Sequence, residues 1–157
     1  MPPLSAFESR IATLLASDDF AELIRNMILD RKGRLATWYV QSRAAASLGG
    51  STMPKTHMVL PKTLFGSRRY DINLCDKVIE LKFRGDPVKK REVRRDLWFM
   101  KCNPRDRVPF ASVWYLFIDG PFGERPRSED FQRLETIPYV HWTWSEFLHF
   151  TAKLAPD

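Results

Sequence analysis

Apolar and polar residues alternate through RRYDINLCDKVIELKF, residues 68–83, and this pattern constrains the fold more than any other feature. A period of two is typical of β-strands, whose successive side chains point to opposite faces of a sheet. We predict a β-hairpin with the two-residue turn Asp76-Lys77, because a slip of one residue would bury charged side chains. One face of the hairpin would carry Ile72, Leu74, Ile79, Leu81 and Phe83. The other would carry Asp71, Asn73, Glu80 and Lys82.

The polar face of this hairpin would gather two carboxylates and one amine. The predicted turn places Asp71 opposite Lys82 and diagonal to Glu80, with the diagonal Cα atoms roughly 7–8 Å apart. Two carboxylates at this spacing repel each other unless a positive charge lies between them, and magnesium is typically held by one or two carboxylates. Lys82 could orient an attacking water or help to deprotonate it. The alternative is a solvent-facing strand pair with an ordinary Asp–Lys surface contact.

Helical spacing of apolar residues predicts a helical first third of the chain. We expect helices over residues 5–17, 20–33 and 34–50. The pair Asp86-Pro87 predicts a further helix start, with an N-cap followed by proline at the first helical position, and this helix would end near Cys102.

Further strands are expected on either side of the hairpin and its helix. One short strand would lie at residues 57–60 or 63–65. The apolar run ASVWYLFI, residues 111–118, predicts a buried central strand. Tyr139–Trp142 would form a last strand, followed by a closing helix. A helix between strands implies a right-handed crossover joining parallel neighbours, so the fold class is α/β with helices on both sides of a mixed sheet.

The length of 157 residues suits one domain with a single core. We predict a single domain over residues 1–157. Its parts would be a helical N-terminal part (1–50), a catalytic core (about 55–120) and a C-terminal strand and helix (137–155).

The formal net charge of +6 favours polyanionic partners such as nucleic acid. The two cysteines lack C-x-x-C spacing, which argues against a disulfide framework and a zinc site and fits a reducing compartment. The N-terminus does not resemble a secretory signal, and the longest apolar run is too short for a bilayer. We therefore expect a cytoplasmic protein without a membrane partner.

A basic helix would follow the hairpin directly. Its cations could neutralise phosphates and give sequence-independent affinity for nucleic acid. The alternative is a solvated helix face. The candidate nucleic-acid-binding residues are Arg84, Lys89, Lys90, Arg91, Arg94 and Arg95.

The residues YD, eight further residues and then ELK resemble the PD-(D/E)xK signature of restriction endonuclease-like nucleases. Tyr70 stands where proline is frequent in that family. The resemblance implies a restriction endonuclease-like core with a sheet of four to five strands, and residues 20–119 can be laid onto its order of elements. It also implies that Asp71, Glu80 and the backbone carbonyl of Leu81 bind Mg2+, or Mn2+, and that Lys82 assists the attacking water. Family members often add a glutamate from the first core helix, for which Glu22 is the candidate, with Glu8 behind it.

The expected function is metal-dependent endonuclease cleavage of phosphodiester bonds. DNA is favoured over RNA by analogy with the family, and a homodimer would allow both strands to be cut. Three alternatives remain: an RNA-cleaving member of the family, a non-catalytic nucleic-acid-binding protein of the same fold, and a basic surface that docks an acidic protein.

Overall fold

The computed structural model describes residues 19–49, 70–74, 77–102 and 112–152. The described helices are α1 (Phe20–Leu29), α2 (Gly33–Leu48), α3 (Lys90–Cys102), α4 (Ser128–Arg133) and α5 (Trp144–Thr151). The described strands are β1 (Ile72–Asn73), β2 (Lys77–Phe83), β3 (Ser112–Ile118) and β4 (Tyr139–Trp142). The predicted helix over residues 5–17, the predicted strand within 57–65 and Glu8 lie outside the described residues.

The described strands form one mixed sheet in the order β1-β2-β3-β4. β1 is antiparallel to β2, whereas β2, β3 and β4 are parallel to one another. Because α3 lies between β2 and β3 in the chain, it is the crossover that a parallel pair requires. The α/β class, the central strand and the last strand are therefore confirmed.

One face of the sheet, here called the first face, packs against α1, α2 and α5. Ile72, Ile79, Leu81 and Phe83 are buried there beside residues of these three helices. The hairpin's apolar alternation is thus confirmed. α5 begins as its sequence predicts, since Thr143 Oγ1 accepts a hydrogen bond from the Glu146 N–H and Glu146 reaches back to the Thr143 N–H.

The opposite face, here called the second face, packs against α3 and the segment around α4. Val78, Val113, Tyr115 and Phe117 are buried there with Val93. Glu80 and Lys82 alternate with Ile79 and Leu81 along β2, so they also point to the second face. The second face therefore carries an apolar core and the charged residues of the candidate site.

The predicted hairpin register is wrong by two residues. Asn73 lies opposite Val78 instead of Glu80, and the Leu74 N–H bonds to the Lys77 carbonyl at 2.9 Å, so Lys77 belongs to β2 and not to the turn. A shift of two keeps every side chain on its predicted face, which is why the apolar pattern could not detect it.

The predicted start of the helix after the hairpin is wrong. α3 begins at Lys90 and not at Asp86-Pro87, and the segment before it is attached to Asp130 by a hydrogen bond from the Val88 N–H. α4 is a short helix that was not among the predicted elements. None of the helices in the described part of the chain has the length and apolar composition needed to cross a bilayer.

Candidate active site

Asp71 lies immediately before β1, where the regular alternation of side chains is broken. Its N–H bonds to the carbonyl of Ile79 at 3.1 Å, although Ile79 already pairs with Ile72. Tyr70 is buried on the second face and Ile72 on the first, although residues two apart in a regular strand share a face. Two residues opposite one are typical of a β-bulge, which redirects a side chain. The bulge turns the Asp71 side chain towards β2.

The Asp71 carboxylate bonds directly to the backbone between the other two motif residues. Its Oδ2 accepts the N–H of Leu81 at 2.8 Å, and Leu81 is joined by its peptide bond to Glu80. The N–H and C=O of one strand residue point to the same side, so the Leu81 carbonyl faces the sheet edge at which Asp71 lies. α2 fixes this arrangement from the first face, because Gln41 Nε2 donates to the Asp71 carbonyl at 2.9 Å.

Lys82 lies at the centre of a charged cluster on the second face. Its Nζ is 3.9 Å from Glu80 Oε1, 3.6 Å from Asp86 Oδ2 and 3.0 Å from Glu92 Oε2. We call Lys82 and these three carboxylates the Lys82 cluster. The Lys82 side chain is only 4% exposed, and lysine is almost never fully buried unless it is paired.

The carboxylates keep Lys82 in its charged form. Burial alone would lower the pKa of Lys82, but the charges of Glu80 and Glu92 outweigh burial and raise that pKa above its ordinary value. Three carboxylates around one ammonium group also leave the Lys82 cluster with an excess of two negative charges. The Asp71 carboxylate is bonded to the N–H of Leu81, the residue between Glu80 and Lys82.

This donor set fits a hard divalent cation. Carboxylate and carbonyl oxygens are the ligands that magnesium prefers, and an excess of negative charge favours a cation beside them. Over the described ranges no group of three or more Asp, Glu, His or Cys side chains is placed to hold a metal ion. The set implied by the resemblance needs fewer side chains than that, namely Asp71 and Glu80 together with the Leu81 carbonyl.

A buried hydrogen-bond network, here called the tie, connects the elements around the site. Asp96 of α3 is fully buried and accepts hydrogen bonds from the hydroxyl groups of Tyr70 and, at 2.7 Å, Tyr115. Tyr70 precedes Asp71, and Tyr115 is the β3 partner of Glu80. Asp96 therefore fixes α3, and with it Glu92, relative to the residue before Asp71 and to β3, the strand that pairs with β2.

Glu22 does not join the motif residues. It is exposed on α1, which packs on the first face, whereas Glu80 and Lys82 point to the second. The glutamate that reaches Lys82 comes instead from α3. Sequence reasoning missed Glu92 because it stands within a run of cations, and Asp86 because it was assigned to a helix cap.

The predicted basic residues divide into two groups. Lys89, Lys90, Arg91 and Arg94 are exposed, and Arg95 is half-buried. Arg84 lies in the turn after β2, and its Nε donates to Glu124 Oε2 at 2.6 Å. Burial would raise the pKa of Glu124, but the hydrogen bonds from Arg84 and from backbone N–H groups, together with the charge of Arg84, outweigh burial and hold that pKa below its ordinary value. Arg84 therefore binds a carboxylate of its own chain.

A second polar cluster lies at the ends of β3 and β4 on the same face. Asp119 is buried, with Oδ1 at 2.6 Å from His141 Nε2 and Oδ2 at 3.6 Å from Arg125 Nε. No spacing in the sequence would connect these residues. Their bonds attach the loop after β3 to the last strand.

No protein-family model matches the chain, and comparison with curated proteins and with solved structures returns no significant match. The resemblance to the PD-(D/E)xK nucleases therefore rests on the spacing of Asp71, Glu80 and Lys82 in the sequence.

Proposed function

We propose that the protein is a metal-dependent nuclease with a restriction endonuclease-like core, and that it hydrolyses phosphodiester bonds of nucleic acid, DNA in preference to RNA. One observation carries the proposal: the Asp71 carboxylate bonds to the peptide next to Glu80, while Lys82 lies within an excess of carboxylates. The three carboxylates exceed the number needed to neutralise one buried ammonium group. A metal site that works on a phosphate group accounts for them.

Each motif residue has a separate role in this proposal. Asp71, Glu80 and the Leu81 carbonyl would hold Mg2+ or Mn2+. The bound ion lowers the pKa of an attacking water and neutralises charge on the phosphate. Lys82 carries a proton at neutral pH because carboxylates raise its pKa, so we assign it to orienting the water and stabilising negative charge on the phosphate. Glu92 is a positioning residue, because it acts through Lys82.

The proposal is tested with single-stranded, duplex and branched DNA and with RNA, each in magnesium, in manganese and in chelator. We expect cleavage only with metal, and a loss of at least about 100-fold in Glu80→Gln, as for removal of an electrostatic catalytic group. Asp30→Asn removes an exposed carboxylate next to α1 and is expected to cleave like the wild type. Cleavage by Glu80→Gln at the wild-type rate, or in chelator, would refute the nuclease.

A non-catalytic nucleic-acid-binding protein is the second candidate. It is favoured by the ion pairs of Lys82 with Glu80, Asp86 and Glu92, which would then serve only to neutralise the ammonium group. In that case nucleic acid would bind equally well in chelator and to Glu80→Gln, and no substrate would be cut. The acidic-partner alternative predicts that DNA does not compete for the basic surface.

A further inference from the structure

A cavity of about 250 Å3 lies between the first turns of α3 and the end of α4. Five of its six lining residues are polar or charged, and they include three cations and one carboxylate. The lining residues are Lys90, Val93, Arg94, Gln132, Arg133 and Glu135. Lys90 and Arg94 are four residues apart on α3, so they extend side by side from the same flank of the helix.

The α4 side of this cavity is held firmly. Arg133 Nη1 donates to the Val88 carbonyl at 3.0 Å, which uses one of the five N–H donors of the guanidinium group. Asp130 is buried and accepts the N–H groups of Val88 and Arg127, both at 2.9 Å. α4 is thereby fixed to the segment that leads into α3. The Arg133 guanidinium is thus oriented before any ligand arrives.

The charges in and around the cavity match a singly charged anion. Three cations face Glu135 in the lining and Glu129, which lies 3.9 Å from Arg133. The excess is therefore one positive charge, which equals the charge of an internal phosphodiester group. Arginine and lysine are the side chains that most often bind phosphate oxygens.

The cavity and the candidate active site lie on opposite flanks of the same helix. Glu92 extends from α3 to Lys82, whereas Lys90 and Arg94, two residues to either side, line the cavity. A helix with its side chains is about 10–12 Å wide. The two sites are therefore separated by about the width of one helix with its side chains.

We propose that Lys90, Arg94 and Arg133 form a pocket for one backbone phosphodiester of the nucleic acid, about one helix width from the bond that is cut. This inference rests on the proposed function for the class of ligand. It adds a specific phosphate contact that includes Arg133 of α4, outside the basic run of α3. The pocket would set the position of the strand relative to Lys82.

The test measures binding of a short fluorescent DNA oligonucleotide to the whole 157-residue chain in chelator, so that nothing is cut. In a series of oligonucleotides, one phosphodiester at a time is replaced by a neutral methylphosphonate. We expect one position at which the replacement weakens wild-type binding about tenfold, the size of one charge-assisted contact. At that position the same replacement should cause no further loss of affinity in the Arg94→Gln or Arg133→Gln variant, because the contact is already absent. Arg25→Gln, an equal change of charge on α1, should keep the position-dependent loss.

The outcomes separate this inference from the nuclease proposal. If the protein cuts DNA, but every methylphosphonate weakens DNA binding by the Arg94→Gln variant as much as by the wild type, only the pocket is refuted. If nothing is cut but the coupling at one position is found, the pocket stands and the nuclease fails. A second comparison uses oligonucleotides with and without a terminal 5′-phosphate. If the Arg94→Gln variant is insensitive only to removal of that terminal group, the assignment to an internal phosphodiester is refuted. Arg94 is exposed, so its variant is informative even if Arg133→Gln fails to fold.

Discussion

The ammonium group of Lys82 has its shortest ion-pair contact with Glu92, at 3.0 Å, and a longer one with Glu80, at 3.9 Å. The closer carboxylate therefore comes from the crossover helix, ten positions further along the chain. Glu92 also accepts the Lys89 N–H at 3.4 Å, so one side chain caps the start of α3 and holds the lysine. The direction of the Lys82 ammonium group therefore depends on its contacts with Glu92 and Glu80.

Glu92→Ala is expected to lower kcat about tenfold, equivalent to roughly 1.4 kcal/mol, because Lys82 loses its shortest charge-assisted contact. KM for nucleic acid should stay unchanged, because Glu92 contacts Lys82 and not the substrate. Steady-state cleavage kinetics in magnesium measure both constants. Glu92→Gln keeps an oxygen acceptor at the same place and should fall between Glu92→Ala and the wild type.

Glu22→Gln is the matched comparison for this experiment, because the resemblance assigned the additional glutamate to the first helix. Since Glu22 is exposed on the other side of the sheet, we expect kcat of the wild type. If Glu22→Gln lowers kcat and Glu92→Ala does not, the additional glutamate is Glu22 and not Glu92.

Residue spacing predicted Asp71, Glu80 and Lys82, and the structure brings all three to the same end of the hairpin. Residue spacing could not predict Glu92. Which α3 side chain reaches Lys82 depends on the rotation of the helix about its axis, and that rotation is set by Val93 and Asp96 in the core. These contacts join distant parts of the chain, and no local pattern encodes them.

At the scale of elements, the β1–β2 hairpin shows what alternation determines. The apolar residues fix which face the regular strand residues occupy, and the assignments of Ile72, Ile79 and Leu81 to one face and of Glu80 and Lys82 to the other hold. They do not fix the pairing, because a slip of two residues leaves the faces unchanged. The bulge at Asp71 is equally invisible to the pattern. It depends on Gln41 of α2 and on the tie between Tyr70 and Asp96.

Tyr115→Phe tests the tie between α3 and the sheet. The buried Asp96 carboxylate would lose the 2.7 Å hydrogen bond from the Tyr115 hydroxyl while the ring stays in place. We expect the free energy of unfolding to fall by about 1–3 kcal/mol, because a buried carboxylate that loses a donor keeps its desolvation cost. Urea denaturation with an unchanged m-value measures this loss.

Tyr139→Phe provides the control for that measurement, since Tyr139 is 46% exposed. Its change in free energy of unfolding should stay within about 0.5 kcal/mol, as for most surface substitutions. Equal losses in the two tyrosine variants would show that the hydrogen bond to Asp96 contributes nothing of its own.

Across the whole molecule, the distribution of charge is uneven. The chain has a formal net charge of +6, yet the Lys82 cluster holds three carboxylates around one ammonium group. Composition predicted the basic surface, and the exposed cations of α3 agree with that prediction. It could not predict an acidic centre inside a basic chain. The sheet brings that centre together by placing β2 beside the start of α3.

Magnesium should therefore stabilise the fold even when no nucleic acid is present. Binding to the folded state alone, at ten times the dissociation constant, adds about 1.4 kcal/mol to the free energy of unfolding. For a chain of 157 residues this corresponds to a rise in Tm of roughly 3–6 °C. Thermal unfolding followed by circular dichroism, with magnesium or with chelator, measures the rise.

Glu80→Gln should lose this rise in Tm, because one of the two carboxylates assigned to the metal becomes neutral. Asp30→Asn should keep it, because its carboxylate lies outside the Lys82 cluster. An equal rise in all three proteins would mean that magnesium acts on the surface in general, and the metal site would then be refuted independently of any cleavage assay.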